Sequence, residues 1–159
     1  MDGKPISASR VVLSQVMGPT EANVYGNVHG GVIMKLVDEA GGVAALRHCR
    51  RPLVTVAIDS LSFLHPVRIG NLLTLHAEVS YVGRTSVEST VRVEAEDVIS
   101  GEVTHVASAY VVYVAIDERG RPAPVPPLLA ETDEDRCRME EARRRREARL
   151  AAARVRGEL

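Results

Sequence analysis

Aromatic residues make up only 3% of this 159-residue chain: one Phe, four Tyr and no Trp. Stacking on bases or sugars is therefore not its mode of recognition, and its core must be built from Val, Leu, Ile and Ala. Charge of one sign is also missing. Twenty Lys and Arg stand against 21 Asp and Glu, a net charge of −1, which argues against a dedicated nucleic-acid binder. Cysteine is scarce: Cys49 and Cys137 are far apart and read as free thiols in a reducing compartment. No apolar run reaches the roughly 18 residues of a membrane span, and Met1-Asp2-Gly3-Lys4-Pro5 has no apolar export segment. A cytoplasmic protein with no membrane contact is expected.

Common catalytic signatures are absent too. There is no Gly-x-Ser-x-Gly elbow and no Gly-x-x-x-x-Gly-Lys-Ser/Thr phosphate loop. The histidines His29, His48, His65, His76 and His105 lack metal-ligand spacing, so neither a metal nor a cofactor is expected.

What is present is a core of ample size, with 45% apolar residues, enough for one domain of about 100–150 residues plus an appendage. The chain is organised around the loop Asn23-Val24-Tyr25-Gly26-Asn27-Val28-His29-Gly30-Gly31, which runs into an apolar helix ending at Cys49. With a helix start near Gly30, unpaired N–H groups and the helix dipole face back toward the loop and favour negative charge there. At 100° per residue Ile33, Leu36, Val37, Ala40 and Ala44 share one face, with Val32 and Val43 at its edge. Gly31, Lys35, Asp38, Gly42 and Ala45 lie opposite, so one carboxylate is flanked by small residues. Gly41 and Gly42 cost about 1 kcal/mol each relative to Ala inside a helix, which close packing would have to offset. Arg50, Arg51 and Pro52 end the helix.

A strand is predicted over Val11–Val16 and then, beyond the helix, over Leu53–Phe63, Leu72–Val82, Thr85–Val98 and Val103–Ile116. The middle two alternate, Val87, Val91, Val93 and Ala95 facing inward against Glu88, Arg92, Glu94 and Glu96, as half-buried antiparallel strands do. The last is apolar on both faces from Ala109 and reads as a central strand. Strands this long exceed the usual five or six residues and can curl around one buried helix, giving an α+β fold in which a long antiparallel sheet wraps a central helix. Prolines 122, 124, 126 and 127 form an extended connector. Glu131 to Arg156 reads as a solvated helix opened by a Thr132-x-x-Asp135 capping box; its arginine run, Arg143 to Arg146, is interleaved with glutamates and points to a solvated or intersubunit helix rather than to nucleic acid.

The segment Met17 to Gly31, with Ile33-Met34-Lys35-Leu36-Val37-Asp38-Glu39-Ala40, resembles the hotdog-fold acyl-CoA thioesterases of the cytosolic acyl-CoA hydrolase type. The resemblance continues through Arg47-His48-Cys49, Ser108-Ala109-Tyr110, Gly120-Arg121 and Val125-Pro126-Pro127-Leu128. It implies a hotdog domain over residues 8–127 and a charged helical extension over 128–159. It implies hydrolysis of fatty acyl-CoA to free acid and coenzyme A, in homodimers assembled into homohexamers. It also implies catalytic roles for Asn23 and Asp38, which a homodimer would bring together from two subunits.

Thioester hydrolysis needs an activated water and a stabilised oxyanion. Asp38 is assigned as general base or direct nucleophile in a site dry enough to raise its basicity. Backbone N–H groups near Gly30 and Gly31 form the oxyanion hole, and Asn23 orients the water or the carbonyl. Asp38 lies seven residues beyond Gly31, about 10 Å along a helix, a gap that a second chain across a two-fold axis could close. Coenzyme A carries phosphates, for which Arg84 in the turn with Thr85 and Ser86 is the first candidate and Lys35, Arg47 and Arg68 are weaker ones. Two alternatives compete. An enoyl-CoA hydratase or dehydratase would pair Glu21 or Asp38 with His29, although its Asp-x-Asn-Pro signature is not matched at Asn23-Val24. A non-catalytic acyl-CoA sensor would normally carry a helical DNA-binding domain, which the sequence does not show.

Overall fold

The computed structural model describes residues 1–157, so positions 158 and 159 of the expected extension lie outside the described residues. The chain runs β1 (Lys4–Pro5), a 3-10 turn, β2 (Val11–Val16), a second 3-10 turn, α1 (Gly30–Cys49), β3 (Leu53–Phe63), β4 (Leu72–Val82), β5 (Ser86–Asp97), β6 (Glu102–Ala115), β7 (Leu128–Leu129) and α2 (Asp133–Val155). Five strands form one antiparallel sheet in the order β2-β4-β5-β6-β3, while β1 and β7 make a separate parallel pair. The sheet and the helix inside it match the expected hotdog architecture. No helix among the described residues is long and apolar enough to cross a membrane.

α1 begins where expected. His29 is its N-cap and accepts the Gly31 N–H on Nδ1 at 2.9 Å. It ends at Arg50, a non-glycine residue in the left-handed region with φ 53°, and Pro52 stands two residues on. Ile33, Leu36, Val37, Ala40 and Ala44 are buried against Leu73 and Leu75 of β4, Val91 and Val93 of β5 and Ala107, Ala109 and Val111 of β6. Two placements on the helix differ from the wheel: Ala45 is fully buried and Val43 is exposed. Toward the C-terminal end of α1 the buried stripe widens to take in Gly41, Ala45, His48 and Cys49.

Gly41 shows what offsets the helix-interior glycines. A Cβ there would stand 2.6 Å from the Tyr113 hydroxyl and 3.3 Å from Val91 Cγ2, so the helix axis lies closer to β5 and β6 than an alanine permits. At Gly42 the nearest side-chain atom would be 3.7 Å away, an ordinary contact. The two glycines therefore answer oppositely to alanine. Gly42→Ala is expected to gain up to about 1 kcal/mol of helix propensity. Gly41→Ala gains the same propensity but displaces Tyr113, for a net loss of about 1–2 kcal/mol in chemical denaturation. A Gly41→Ala protein more stable than wild type would refute the close-packing account.

β6, expected as a central strand, is an interior strand between β5 and β3, and β2 and β3 are the two edges. The expected solvated C-terminal helix is corrected. α2 opens on the anticipated capping box, with Asp135 N–H donating to Thr132 Oγ1 at 3.0 Å and Thr132 N–H to Asp135 Oδ2 at 3.1 Å. It then lies across the outer face of the sheet, burying Ala142 completely and packing Met139 against the core. Glu88, expected to face solvent, is 2% exposed beneath it. The helix pattern hid this because α2 is held by arginine–carboxylate pairs rather than by an apolar stripe. The Asp135 carboxyl is held below the usual carboxylate range, first by Arg138 and then by the cap N–H groups. Its contribution is present above the unfolded-state value and is lost as pH falls through the lower folded one.

Candidate active site

Asp38 leaves α1 on the glycine-lined side and is half-buried. Its Oδ1 accepts the hydroxyl of Thr55, the third residue of β3, at 2.9 Å. Its backbone carbonyl accepts the Tyr113 hydroxyl at 2.9 Å, and one turn later the Gly41 carbonyl accepts the Ser89 hydroxyl at 2.9 Å. These two bonds clamp α1 to β5 and β6 beneath Asp38. Burial, reinforced by the Asp38 charge, pushes the Tyr113 phenol above its ordinary value, so it stays protonated and keeps donating. The Asp38 backbone is thus fixed, and its Oδ2 accepts no hydrogen bond among the described residues.

Asn23 sits in the loop that precedes the helix. Its N–H donates to the Asn27 carbonyl at 2.7 Å, and its side-chain Oδ1 accepts the N–H groups of Tyr25 at 2.9 Å and Asn27 at 3.2 Å. Those two donors fix the amide so that its NH2 group points away from the loop, as a donor with no partner among the described residues. Asn23 lines a cleft of about 320 Å³ together with Gly30, Phe63, Leu64 and His65.

The expected oxyanion donors divide. Gly31 N–H is occupied by His29 Nδ1, whereas Gly30 N–H, the first of the helix, has no acceptor among the described residues. Gly30 thus supplies the open donor, beside Asn23 in the same cleft. Asp38 does not line that cleft. It stands eight residues, about 12 Å, further along the helix. Within one protomer the acid and the two donors are separated.

Arg84, Thr85 and Ser86 form the β4–β5 turn, with Gly83 N–H donating to the Ser86 carbonyl at 2.8 Å. The Arg84 guanidinium is exposed and has no pair among the described residues. Sheet register sets this turn at the Asp38 end: Ser86 pairs with Val114, and Val114 with Val54, next to Thr55. The weaker cations are otherwise engaged or displaced. Lys35 pairs with Glu39 at 3.5 Å, Arg47 donates to the Arg10 carbonyl at 2.6 Å, and the Arg68 backbone bridges to Asn27 while its side chain lines a separate cleft with Asp97 and Glu102. Glu21 is spent on its own turn, accepting Gly18 N–H at 2.7 Å and the Thr20 hydroxyl at 2.9 Å. With His29 capping the helix, the acid–histidine pair a hydratase would need is not assembled within one protomer.

Residues 25–102 match the Thioesterase superfamily. The chain is 37% identical to Protein VdlD of Helicobacter pylori over 141 residues, 89% of this chain and 80% of that one. The chain belongs to the thioesterase superfamily. It is also 37% identical to the cytosolic acyl coenzyme A thioester hydrolase of Rattus norvegicus over 142 residues, 88% of this chain, but spans only 37% of that protein's length. Among solved structures, an apo-hexameric acyl-CoA thioesterase superposes with a TM-score of 0.92 at 33% identity, covering 96% of this chain and 98% of that one. The acyl-CoA hydrolase of Staphylococcus aureus, solved with butyryl coenzyme A and coenzyme A, gives 0.89 at 31% identity, with 98% and 94% covered. Variants of that hydrolase replace an Asn, an Asp and a Thr by Ala, spaced 15 and 17 residues apart.

Within this superfamily member, sequence reasoning missed Thr55, Tyr113 and Ser89. Thr55 had a weak signal, a lone hydroxyl between valines on a strand. Tyr113 and Ser89 had none, because only the helix crossing shows that they reach carbonyls of α1.

Proposed function

We propose that this protein is a cytoplasmic acyl-CoA thioesterase that hydrolyses acyl-CoA to a carboxylic acid and coenzyme A, with each active site shared between two subunits of a homodimer that assembles further into a hexamer. The observation that carries the reading is the Asp38–Thr55 hydrogen bond on the glycine-lined helix face. Asn23, Asp38 and Thr55 stand at the same spacing as the three residues replaced in the S. aureus variants. The hexameric thioesterase similar to this chain supports the assembly, and the cytosolic relatives support the location.

The edge strand supplies a physical reason for pairing. β3 is eleven residues long, unpaired on one side, and exposes Val54, Val56, Ile58 and Phe63. Such an edge favours addition of another strand. Antiparallel pairing of two β3 strands about position 59 sets Thr55 of one copy opposite Phe63 of the other. Phe63 lies 3.6 Å from where a Gly30 Cβ would be, so this register carries the Gly30 and Asn23 donors of the second copy toward Asp38. The separation seen within one protomer is thereby closed across the pair.

In that site Asp38 takes a proton from water as the water oxygen bonds to the thioester carbonyl carbon. The developing oxyanion is held by Gly30 N–H and the Asn23 amide. Collapse of the tetrahedral intermediate breaks the C–S bond, and the leaving thiolate receives the proton from Asp38. Direct attack by Asp38, giving an anhydride that water then opens, uses the same groups. The turn Arg84-Thr85-Ser86, at the Asp38 end of the sheet, faces the side from which the coenzyme would approach.

Purified protein incubated with acyl-CoAs of different chain length is expected to release free thiol stoichiometrically with acid. No thiol release at any acyl length, or hydration of an enoyl-CoA instead, would overturn the assignment.

A further inference from the structure

At the C-terminal end of α1 an open cleft of about 380 Å³ is lined by Arg50, Arg51, Arg119 and Arg121, with Asp117 and Glu118. Asp117 is fully engaged: it accepts the N–H groups of Arg119 and Arg121, both at 2.9 Å, and pairs with the Arg121 guanidinium at 3.0 Å. The guanidinium groups of Arg50, Arg51 and Arg119 make no hydrogen bond or ion pair among the described residues. Arg51 acts on Asp117 through its charge alone, and the four arginines of the cleft face only two carboxylates, Asp117 and Glu118, so the cleft carries an excess of positive charge.

Its position relates it to Asp38. Pro52 and Ile116 join the two walls through a backbone bond of 2.9 Å, and Leu53 pairs with Ala115 two residues before Thr55 pairs with Tyr113. The four residue steps from Thr55 back to Arg51 span about 13 Å of extended chain. The arm of coenzyme A, from thioester sulfur to its first phosphorus, has a similar reach, about 15 Å at the per-bond advance of an extended backbone. The cleft is thus within reach of the phosphates of a thioester held at Asp38, and it lies one strand from the Arg84 turn, where the Thr85 carbonyl accepts the Ala115 N–H at 2.9 Å.

We infer that Arg50, Arg51 and Arg119 form a phosphate-binding subsite that reads the nucleotide end of coenzyme A and distinguishes it from shorter thioester carriers. The inference rests on the thioesterase reading for the other end of the ligand. Guanidinium groups suit phosphate oxygens because they donate in pairs from a fixed plane.

The test is calorimetric titration of the wild type and of R51Q/R119Q with coenzyme A, dephospho-coenzyme A and pantetheine, with thiol release measured separately. The wild type is expected to bind coenzyme A more tightly than pantetheine. The double variant should lose about tenfold in coenzyme A affinity per arginine, keep its pantetheine affinity, and raise KM for acyl-CoA without a matching fall in kcat. If dephospho-coenzyme A binds the wild type as coenzyme A does, the subsite holds the pyrophosphate; if it binds the wild type as weakly as it binds the variant, the subsite holds the 3′-phosphate. Unchanged coenzyme A affinity in the variant, equal losses for coenzyme A and pantetheine, or no coenzyme A binding by the wild type would each overturn the subsite. Tight coenzyme A binding without thiol release would instead sink the enzymatic reading and leave the subsite standing.

Discussion

Asp38→Asn is expected to lower kcat by about 10³-fold, the loss typical of removing a positioned general base, while leaving the melting midpoint within a few degrees of wild type. The side chain keeps its shape and can still accept the Thr55 hydroxyl, so a fall in activity with intact folding isolates the lost basicity. Thr55→Val removes only the positioning bond of 2.9 Å and is expected to cost about tenfold, mostly in kcat. The decisive result comes from mixing. Asn23→Ala and Asp38→Asn proteins, each nearly inactive alone, should recover about a quarter of wild-type activity after equimolar subunit exchange, because half of the dimers are mixed and each mixed dimer holds one intact site. Activity that stays absent while exchange is demonstrated would show that a site draws on one chain alone.

The second large effect concerns the outer face of the sheet. Glu88 receives Arg145 at 2.8 Å, Arg149 at 3.3 Å and the Ser80 hydroxyl at 3.0 Å, and the Arg145 guanidinium lies 3.7 Å from the Tyr110 ring centroid. Arg149 also pairs with Asp59 on β3 at 2.8 Å. Removing one member of a buried ion network leaves the others desolvated and unmatched. Glu88→Ala is therefore expected to destabilise by about 3 kcal/mol, a fall of roughly 5–10 °C in melting midpoint for a chain of this size. Limited proteolysis should then cut α2 before the sheet. Glu88→Gln, which keeps the hydrogen-bond acceptor, should lose less. A midpoint unmoved in Glu88→Ala would mean that the network is neutral and that Ala142 and Met139 hold the helix.

Much of the fold was legible because its signals are local. The alternation from Leu72 to Val82 and the run from Leu53 to Phe63 gave strand limits that the structure reproduces, and Thr132 with Asp135 marked a helix start to the residue. Asn23 and Asp38 were named through family resemblance and Gly30 through the unpaired N–H groups of a helix start, and the distance from that start to Asp38 was legible from helix rise alone. The misses are non-local. Glu88 looked solvated because a strand cannot announce the helix that later covers it. Gly31 looked like an oxyanion donor because the His29 ring can be placed on its N–H only in three dimensions. Thr55 and Tyr113 act on Asp38 from strands 17 and 75 residues away in sequence, a relation that no periodicity encodes.

The small parallel pair of β1 and β7 has a consequence for how the protein is made. Lys4 pairs with Leu128 and Pro5 with Leu129, and Ser7 N–H reaches Glu131 at 3.1 Å, 124 residues away. Contacts that distant close late. On the ribosome residues 4–7 wait, unpaired, until residues 128–131 have emerged, so this corner of the domain closes only after the segment that leads into α2 is available. A stalled or prematurely terminated product lacking residues 128–131 would leave that first strand without its mate, a ready handle for quality control.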